Sequence, residues 1–267
     1  MRCGLVGEAH IFLTQAHRAY LNQFCEVYLQ AISSEDGEHE INFDAVADAV
    51  NSIEKPPFYY AEESQQNKFK CHACGCIVDI LGKFGYCSGC GTRNDIQELD
   101  KTLESIRTRI NSGEGREGCV RDAVSAFDST VRQYVEQLAR RVPMTEARFN
   151  RLENMLFHNV NPVRDELRNT FDIDIFRGID EMAQRFAARM FLRRHVYEHN
   201  GGEADEAYLE QSGDTSVRPK QLLHETQETA HDTVSIVMRM ATNLHEGFHN
   251  LFPPDEKRIS SHKRWKP

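Results

Sequence analysis

The chain lacks any long apolar run. Nowhere does it approach the ~20 consecutive apolar residues of a membrane span, and its opening stretch has no unbroken apolar core of the signal-peptide kind. It also lacks an internal repeat, carries a single tryptophan, and has no surplus of basic charge. With 32 Lys and Arg against 41 Asp and Glu, the formal net charge is -9 and the pI is near 5.8. That balance excludes a protein that coats nucleic acid through bulk electrostatics, so any nucleic-acid contact must be local. The expectation is a soluble, unsecreted, cytoplasmic protein with no membrane partner.

A length of 267 residues, 40% hydrophobic and 27% charged, suffices for a sizeable core with one or two small modules. Of the 8 cysteines, four fall as two C-x-x-C pairs. In a chain of intracellular character that argues for metal rather than disulfides, and for a reducing compartment.

Apolar residues recur at three-four spacing through most of the chain, the signature of amphipathic helices. One long helix is expected over about residues 3–33, from Leu5 through Phe12, Tyr20, Phe24 and Val27 to Ile32. A shorter one opens at Asn42-Phe43-Asp44 and stops before Pro56-Pro57. Ile96, Leu99, Leu103, Ile106 and Ile110 mark a connecting helix ended by Gly113. Val120 to Leu138 mark another, stopping at Pro143, and a third runs through Phe149, Leu152, Met155 and Leu156. Asn161-Pro162 reads as a cap with proline at the first helical position. The next helix spans about residues 178–199, with Ile179, Met182, Phe186 and Met190 as its apolar stripe, and ends at Gly201-Gly202. Glu203 to Leu223 is expected as a long loop, a length often tied to function. A last helix carries Val234 to Phe248 and ends at Pro253-Pro254.

Cys71-x-x-Cys74-Gly75 and Cys87-x-x-Cys90-Gly91 are two knuckles, each a pair of thiolates followed by a glycine that lets the chain turn round an ion. Four thiolates satisfy tetrahedral zinc completely, which leaves no open position for catalytic water. One structural Zn2+ per chain is therefore expected at Cys71, Cys74, Cys87 and Cys90. The segment resembles a zinc ribbon, with residues 77–86 suited to a β-hairpin between the knuckles. A ribbon of about 25 residues buries too little apolar surface to fold without its metal. Lys68, Lys70, Lys83 and Arg93 are the positive charges it offers a nucleic acid. Cys76 is expected to point away from the site, while Cys3, Cys25 and Cys119 sit in helical patterns.

The stretch Arg193-Arg194-His195-Val196-Tyr197-Glu198-His199-Asn200-Gly201-Gly202 places cations beside imidazoles at a helix end. Arginine followed by four to six residues and a histidine is a weak pattern: with 12 histidines and many arginines, composition alone gives each spacing about once. Arg189/His195, Arg193/His199, Arg194/His199 and Arg239/His245 all fit it. Bland readings stand beside the catalytic one. Arg194 could pair with Glu198, four residues on, and His195 with His199 could hold a metal. Positions 194 and 199 lie about 140° apart on a regular helix, so they converge only if the helix ends or bends there.

Arg194-His195-x-x-x-His199-Asn200, at the end of a helix in an all-helical surrounding, resembles the R-x4-6-H motif of HEPN domains, and the resemblance extends over residues 116–254. What it implies is a helical bundle that forms a homodimer, the motifs of two protomers facing each other, and metal-independent cleavage of RNA. Imidazole exchanges protons near neutrality, so His199 could take the proton of a ribose 2′-hydroxyl while Arg194 braces the phosphate charge, leaving a 2′,3′-cyclic phosphate. The partner protomer's histidine would protonate the leaving oxygen, and His195 or Asn200 could orient these groups. Arg185, Arg189 and Arg193 recur every four residues as a candidate track for RNA phosphates, or else pair with acids such as Asp180 or Glu181. Catalytic members of the family are frequent in toxin–antitoxin and antiviral defence systems, which implies a protein antitoxin or defence partner. Members without the motif serve as binding or scaffold domains.

The expected fold is mainly α, a HEPN-like helical bundle with a small β zinc ribbon between it and an N-terminal helical region. The expected division is an N-terminal helical region over 1–62, the ribbon over 66–94, a connecting helix over 95–115, the bundle over 116–254 and a disordered basic tail over 255–267.

Overall fold

A computed structural model of the chain describes residues 15–34, 46, 49–50, 66–113, 115–157 and 159–265. The chain divides into two compact units, Met1–Asn67 and Lys68–Pro267. In the first, helix α1 (Gln15–Ser34) buries Tyr20, which packs with Phe24, Val27 and Val46. The expected start of this helix near residue 3, and most of the short helix before Pro56, lie outside the described residues.

The second unit, with strand β1 (Gln66–Lys70) beginning two residues before it, is a small two-stranded sheet of β1 and β2 (Ile77–Leu81), followed by helices α2 (Asp95–Ser112), α3 (Arg116–Arg141), α4 (Glu146–Glu153), α5 (Val160–Phe171), α6 (Glu181–His199), α7 (Glu206–Ser212), α8 (Gln227–Leu251) and α9 (Glu256–Trp265). Among the described residues the protein is thus mainly helical, with one small two-stranded sheet. Among the described residues, no helix is long and apolar enough to cross a membrane.

The core is built where α3, α8 and α2 lie against one another, with α6 packed on α3. Helix α3 turns Val120, Val124, Phe127, Val131, Tyr134 and Leu138 inward, and α8 answers with Val234, Val237, Met240, Leu244 and Phe248. Each fully buried side chain of this kind contributes about 1.5–3 kcal/mol. Helix α2 does more than connect. Leu99, Leu103, Ile106 and Ile110 are all buried in the same cluster, so the expected linker helix is a full member of the bundle. Its three-four spacing is the same signal read in α3, and the tertiary partner was what the sequence did not name.

Ends follow local chemistry. Gly113 closes α2 in the left-handed conformation at φ 81°, where a side chain would be strained. At the start of α8, Thr226 and Thr229 cap each other reciprocally. Helix α5 begins at Val160, just before the expected Asn161-Pro162, with Asn159 as its cap residue. Of the expected stripe, Ile179 and Met190 are buried in the core and Phe186 packs against it, and one position is corrected. Met182 is 73% exposed, and the buried residues of α6 are Ala187, Met190, Phe191, Arg193 and Val196.

The expected loop from Glu203 to Leu223 contains α7 and is closed by a bridge between Glu203 and Leu222. The expected disordered tail is helix α9. It forms because Ile259 is buried in the ribbon's core, Asp255 N–H donates to Cys90 O at 2.8 Å, and Arg258 Nη1 donates to Gly89 O at 3.0 Å.

Candidate metal centre and the end of helix α6

The ribbon differs from a single hairpin between knuckles. Strands β1 and β2 flank the first knuckle and pair with each other across a connection too short for a parallel crossover. Tyr86 and Arg93 make an antiparallel bridge around the second. Each knuckle therefore sits at the tip of its own hairpin. Residues 77–86 supply one strand to the first and lead into the second.

The knuckles repeat one pattern. Gly75 N–H donates to Cys71 O and Gly91 N–H to Cys87 O, each at 2.8 Å, while Cys71 N–H reaches Cys76 O at 2.9 Å and Cys87 N–H reaches Thr92 O at 2.8 Å. Both glycines take positive φ, 72° and 78°. This brings the four sulfurs within 4.8 Å of one another, all buried. Cys71 and Cys90 Sγ are 3.8 Å apart, Cys74 and Cys87 Sγ 3.5 Å.

Burial pushes the Cys71 thiol up to about 11 and the Cys74 thiol further still. Cys87 is held down against burial by backbone N–H groups of Cys90 and Gly89. Four thiolates this close repel one another unless a cation lies among them, and the thiolate is the metal-binding form. The donor set fits a tetrahedral soft-metal site with no vacancy for water. Cys76 is not part of the set, but it does not point away. It packs on the ribbon core, with its Sγ 2.8 Å from where a Cβ on Gly89 would stand. Cys119 is fully buried in the bundle and Cys25 is exposed on α1.

A polar seam that the sequence reading missed holds the ribbon to the bundle. Arg93, read as a positive charge available to nucleic acid, is buried and forks onto buried Asp95, Nε to Oδ2 at 2.7 Å and Nη2 to Oδ1 at 2.8 Å. Its guanidinium stacks over Tyr86 and Tyr134, and its backbone N–H donates to His249 Nε2 at 3.3 Å. Beside it the Tyr134 hydroxyl meets His245 Nδ1 at 2.6 Å. Asn94 and Gln97, at the start of α2, bond the ribbon backbone at Lys83, Gly85, Lys70 and His72. The run Thr92-Arg93-Asn94-Asp95 directly after a knuckle was the available signal, since polar groups there must find partners once the knuckle is packed.

At the end of α6 the motif residues separate. The helix runs unbroken through His199, with Asn200 as its C-cap donating its backbone N–H to Val196 O at 2.9 Å. Arg194 is half-buried against α3, its Nε 3.4 Å from Ser125 Oγ, so a regular helix turns it about 140° from His199. The expected convergence does not occur within one chain. The Arg194–Glu198 pairing is not found either, and Glu198 lies 3.9 Å from Arg121 Nε. His195 and His199 are exposed and adjacent, their ring centroids 4.6 Å apart, with no third metal ligand grouped beside them among the described residues. The Asn200 side chain donates to Asp205 Oδ2 at 2.6 Å, tying the end of α6 to the cap of α7.

Arg193 is no phosphate contact. It is buried and donates to Tyr208 Oη at 3.0 Å, Glu225 Oε1 at 3.0 Å and Asp214 Oδ2 at 2.8 Å. Hydrogen bonds from Ser216, Arg193 and Tyr208 overcome burial and hold Asp214 well below the usual carboxylate range. The anchor pins the 203–225 segment against α6. Arg185 remains exposed, 3.6 Å from Glu181, which is the pairing foreseen as its bland alternative. Arg189 lies over Phe186.

His195 also lines a cavity of about 870 Å³ between the α4–α5 turn, α6 and α7. Its walls mix Met155, Phe191 and Tyr208 with Asn154, Asn159 and Gln211. The chain matches no family model, no curated protein and no solved structure.

Proposed function

We propose that the protein is a HEPN-type endoribonuclease carrying a structural zinc ribbon. The observation that carries this reading is the exposed pair His195 and His199 on the last turn of α6, with the half-buried Arg194 guanidinium on the adjoining face. A single chain turns Arg194 and His199 apart, so the active arrangement requires two protomers that meet at this end of α6, each supplying imidazole to a shared phosphate. In that cleft one neutral imidazole takes the 2′-hydroxyl proton, the 2′-oxygen attacks phosphorus, and the 5′-oxygen leaves with a proton from the partner protomer's imidazole. The products are a 2′,3′-cyclic phosphate and a 5′-hydroxyl. Arg194 bears the phosphate charge as it grows. No metal takes part, and the four-cysteine site, with no open position, holds zinc for folding alone.

The cavity beside His195 suits the substrate. Apolar and aromatic walls with amide side chains accept an unpaired base, which favours single-stranded RNA over duplex. A defence or toxin–antitoxin setting, with a protein that restrains the activity, accompanies this reading.

A second reading has its own observation. The unbroken helix through His199 and the Asn200–Asp205 tie give this end of α6 a structural explanation, which suits a HEPN-like binding or scaffold module. Purified protein separates the two: cleavage of single-stranded RNA that is lost in Arg194→Ala and in His199→Ala supports the nuclease. A folded dimer that binds RNA without cutting it supports the scaffold.

A further inference from the structure

The ribbon holds a fifth sulfur outside the group of four. Cys76 follows the first knuckle and packs on the ribbon core, beyond the cluster formed by Cys71, Cys74, Cys87 and Cys90. Those four residues are each no more than 6% exposed, whereas Cys76 is half-buried and keeps part of its surface in solvent. An oxidant arriving from solution therefore meets Cys76 before it meets any of the four, and access is one of the two things that decide which thiol is oxidised.

Cys76 also touches the second knuckle. Gly89 lies between Cys87 and Cys90, and a Cβ on it would stand 2.8 Å from Cys76 Sγ and 3.4 Å from Cys87 Sγ. Both sulfurs thus face one small space, left open by a residue with no side chain. Gly89 N–H donates to Cys87 Sγ at 3.3 Å, which keeps that sulfur turned towards the space. Cys74 is within hydrogen-bonding reach of Cys76 as well. A bond between those two would close a ring across Gly75 alone, inside a turn already fixed by Gly75 N–H on Cys71 O. Cys87, on the other hairpin, carries no such constraint, and disulfide geometry is demanding enough for that to decide between them.

We propose that Cys76 is an oxidation site that disables the metal centre, by forming a disulfide with Cys87 when the protein meets hydrogen peroxide. In the first step the Cys76 thiol attacks the peroxide, the O–O bond breaks, the sulfur becomes a sulfenic acid and water leaves. In the second the Cys87 thiolate attacks that sulfur, the S–O bond breaks, hydroxide leaves and the S–S bond forms. The two sulfurs lose two electrons, and the peroxide is reduced to water and hydroxide. Three thiolates then remain where tetrahedral zinc needs four, so retention of the metal falls.

The consequence reaches α9, which is held on the same knuckle. Asp255 N–H donates to Cys90 O, Arg258 Nη1 to Gly89 O, and Ile259 is buried in the cluster that contains the four sulfurs. Oxidation at Cys76 therefore loosens the C-terminal helix, and a thiol reductant with fresh zinc restores it.

Peroxide treatment of the full-length, zinc-loaded protein tests this, with released zinc followed by a chromogenic chelator and the products digested with trypsin for mass spectrometry. Wild type should release its zinc and yield a cross-link between residues 71–83, which contain Cys76, and residues 84–93, which contain Cys87. Hydrogen exchange in α9 should rise with the release and return after reductant and zinc. Cys76→Ser and Cys76→Ala should hold as much zinc as wild type before treatment and release it at least about tenfold more slowly. A role in packing alone would leave the release rate unchanged in both variants, which would overturn the proposal. So would loss of zinc from both before any oxidant is added, since Cys76 would then belong to the site itself, and so would a Cys74–Cys76 bond in place of the cross-link. Zinc and mass are the readouts, so the outcome does not depend on whether the protein cuts RNA.

Discussion

The Tyr134 hydroxyl and His245 Nδ1 stand 2.6 Å apart, with Tyr134 fully buried between α3 and α8. Burial pushes Tyr134 well above its ordinary range, and burial with the nearby His249 and Arg93 pushes His245 down to about 3. The pair is therefore neutral, an uncharged hydrogen bond in the core. The unfolded chain takes up a proton at His245 near the ordinary value of 6.5 and the folded chain does not until about 3. Stability from this group is complete above the upper value and falls as pH drops towards the lower, by up to about 1.4 kcal/mol per pH unit. Denaturant unfolding from neutral to mildly acidic pH should show a shallower slope in His245→Leu than in wild type. At neutral pH that variant should lose about 1–3 kcal/mol, because the Tyr134 hydroxyl is left unpaired. Adding Tyr134→Phe should recover part of the loss.

Arg193 gives a test that separates structure from RNA contact. Arg193→Met removes a buried cation from Asp214 and Glu225, and breaking such a network costs about 3–5 kcal/mol. Thermal unfolding should fall by many degrees. Protein that remains folded should show an unchanged salt dependence of RNA binding, because a buried side chain releases no counterions. A flatter salt dependence in the variant would place Arg193 on the RNA.

Metal content follows from the four sulfurs. Wild-type protein should carry about one zinc per chain by elemental analysis, and Cys74→Ser little or none. Strong chelation should expose amides of 66–94 and of α9 to hydrogen exchange, because Ile259 is buried in the same cluster as the ligands. The α3–α8 core should stay protected.

Gly75 joins the metal knuckle to the C-terminal helix. A Cβ there would stand 2.3 Å from His262 Cε1, at a φ of +72°. Gly75→Ala should weaken zinc retention and loosen α9. Adding His262→Ala removes the collision and leaves the backbone strain, of order 1–3 kcal/mol, so recovery should be partial. Limited proteolysis near residue 255 reads the outcome.

The local signals in the sequence were of unequal reach. Thiolate spacing named the four clustered sulfurs because the geometry is contained in a few adjacent residues. Three-four periodicity marked α2, α3 and α8 because each buries one continuous face. In α6 it placed Ile179, Phe186 and Met190 on the core side but wrongly added Met182 and missed buried Arg193, since pairing with residues 214 and 225 is a long-range fact. The same limit hid the packing of the Arg93–Asp95 pair against Tyr134 and His249, and with it α9. A basic decapeptide reads as solvated chain until Ile259 is seen to have a ribbon to cover. At the motif, the caution drawn from helical angle proved the useful part: α6 does not break before His199, so Arg194 and His199 do not converge within one chain.

The most direct measurement is the chemistry of RNA ends after incubation with the purified protein in excess EDTA, helicity having been verified under the same conditions. Wild type should give 2′,3′-cyclic phosphate termini with 5′-hydroxyl partners, and His199→Ala none. Uncut RNA from a folded wild-type dimer, or the same termini from His199→Ala, would contradict it.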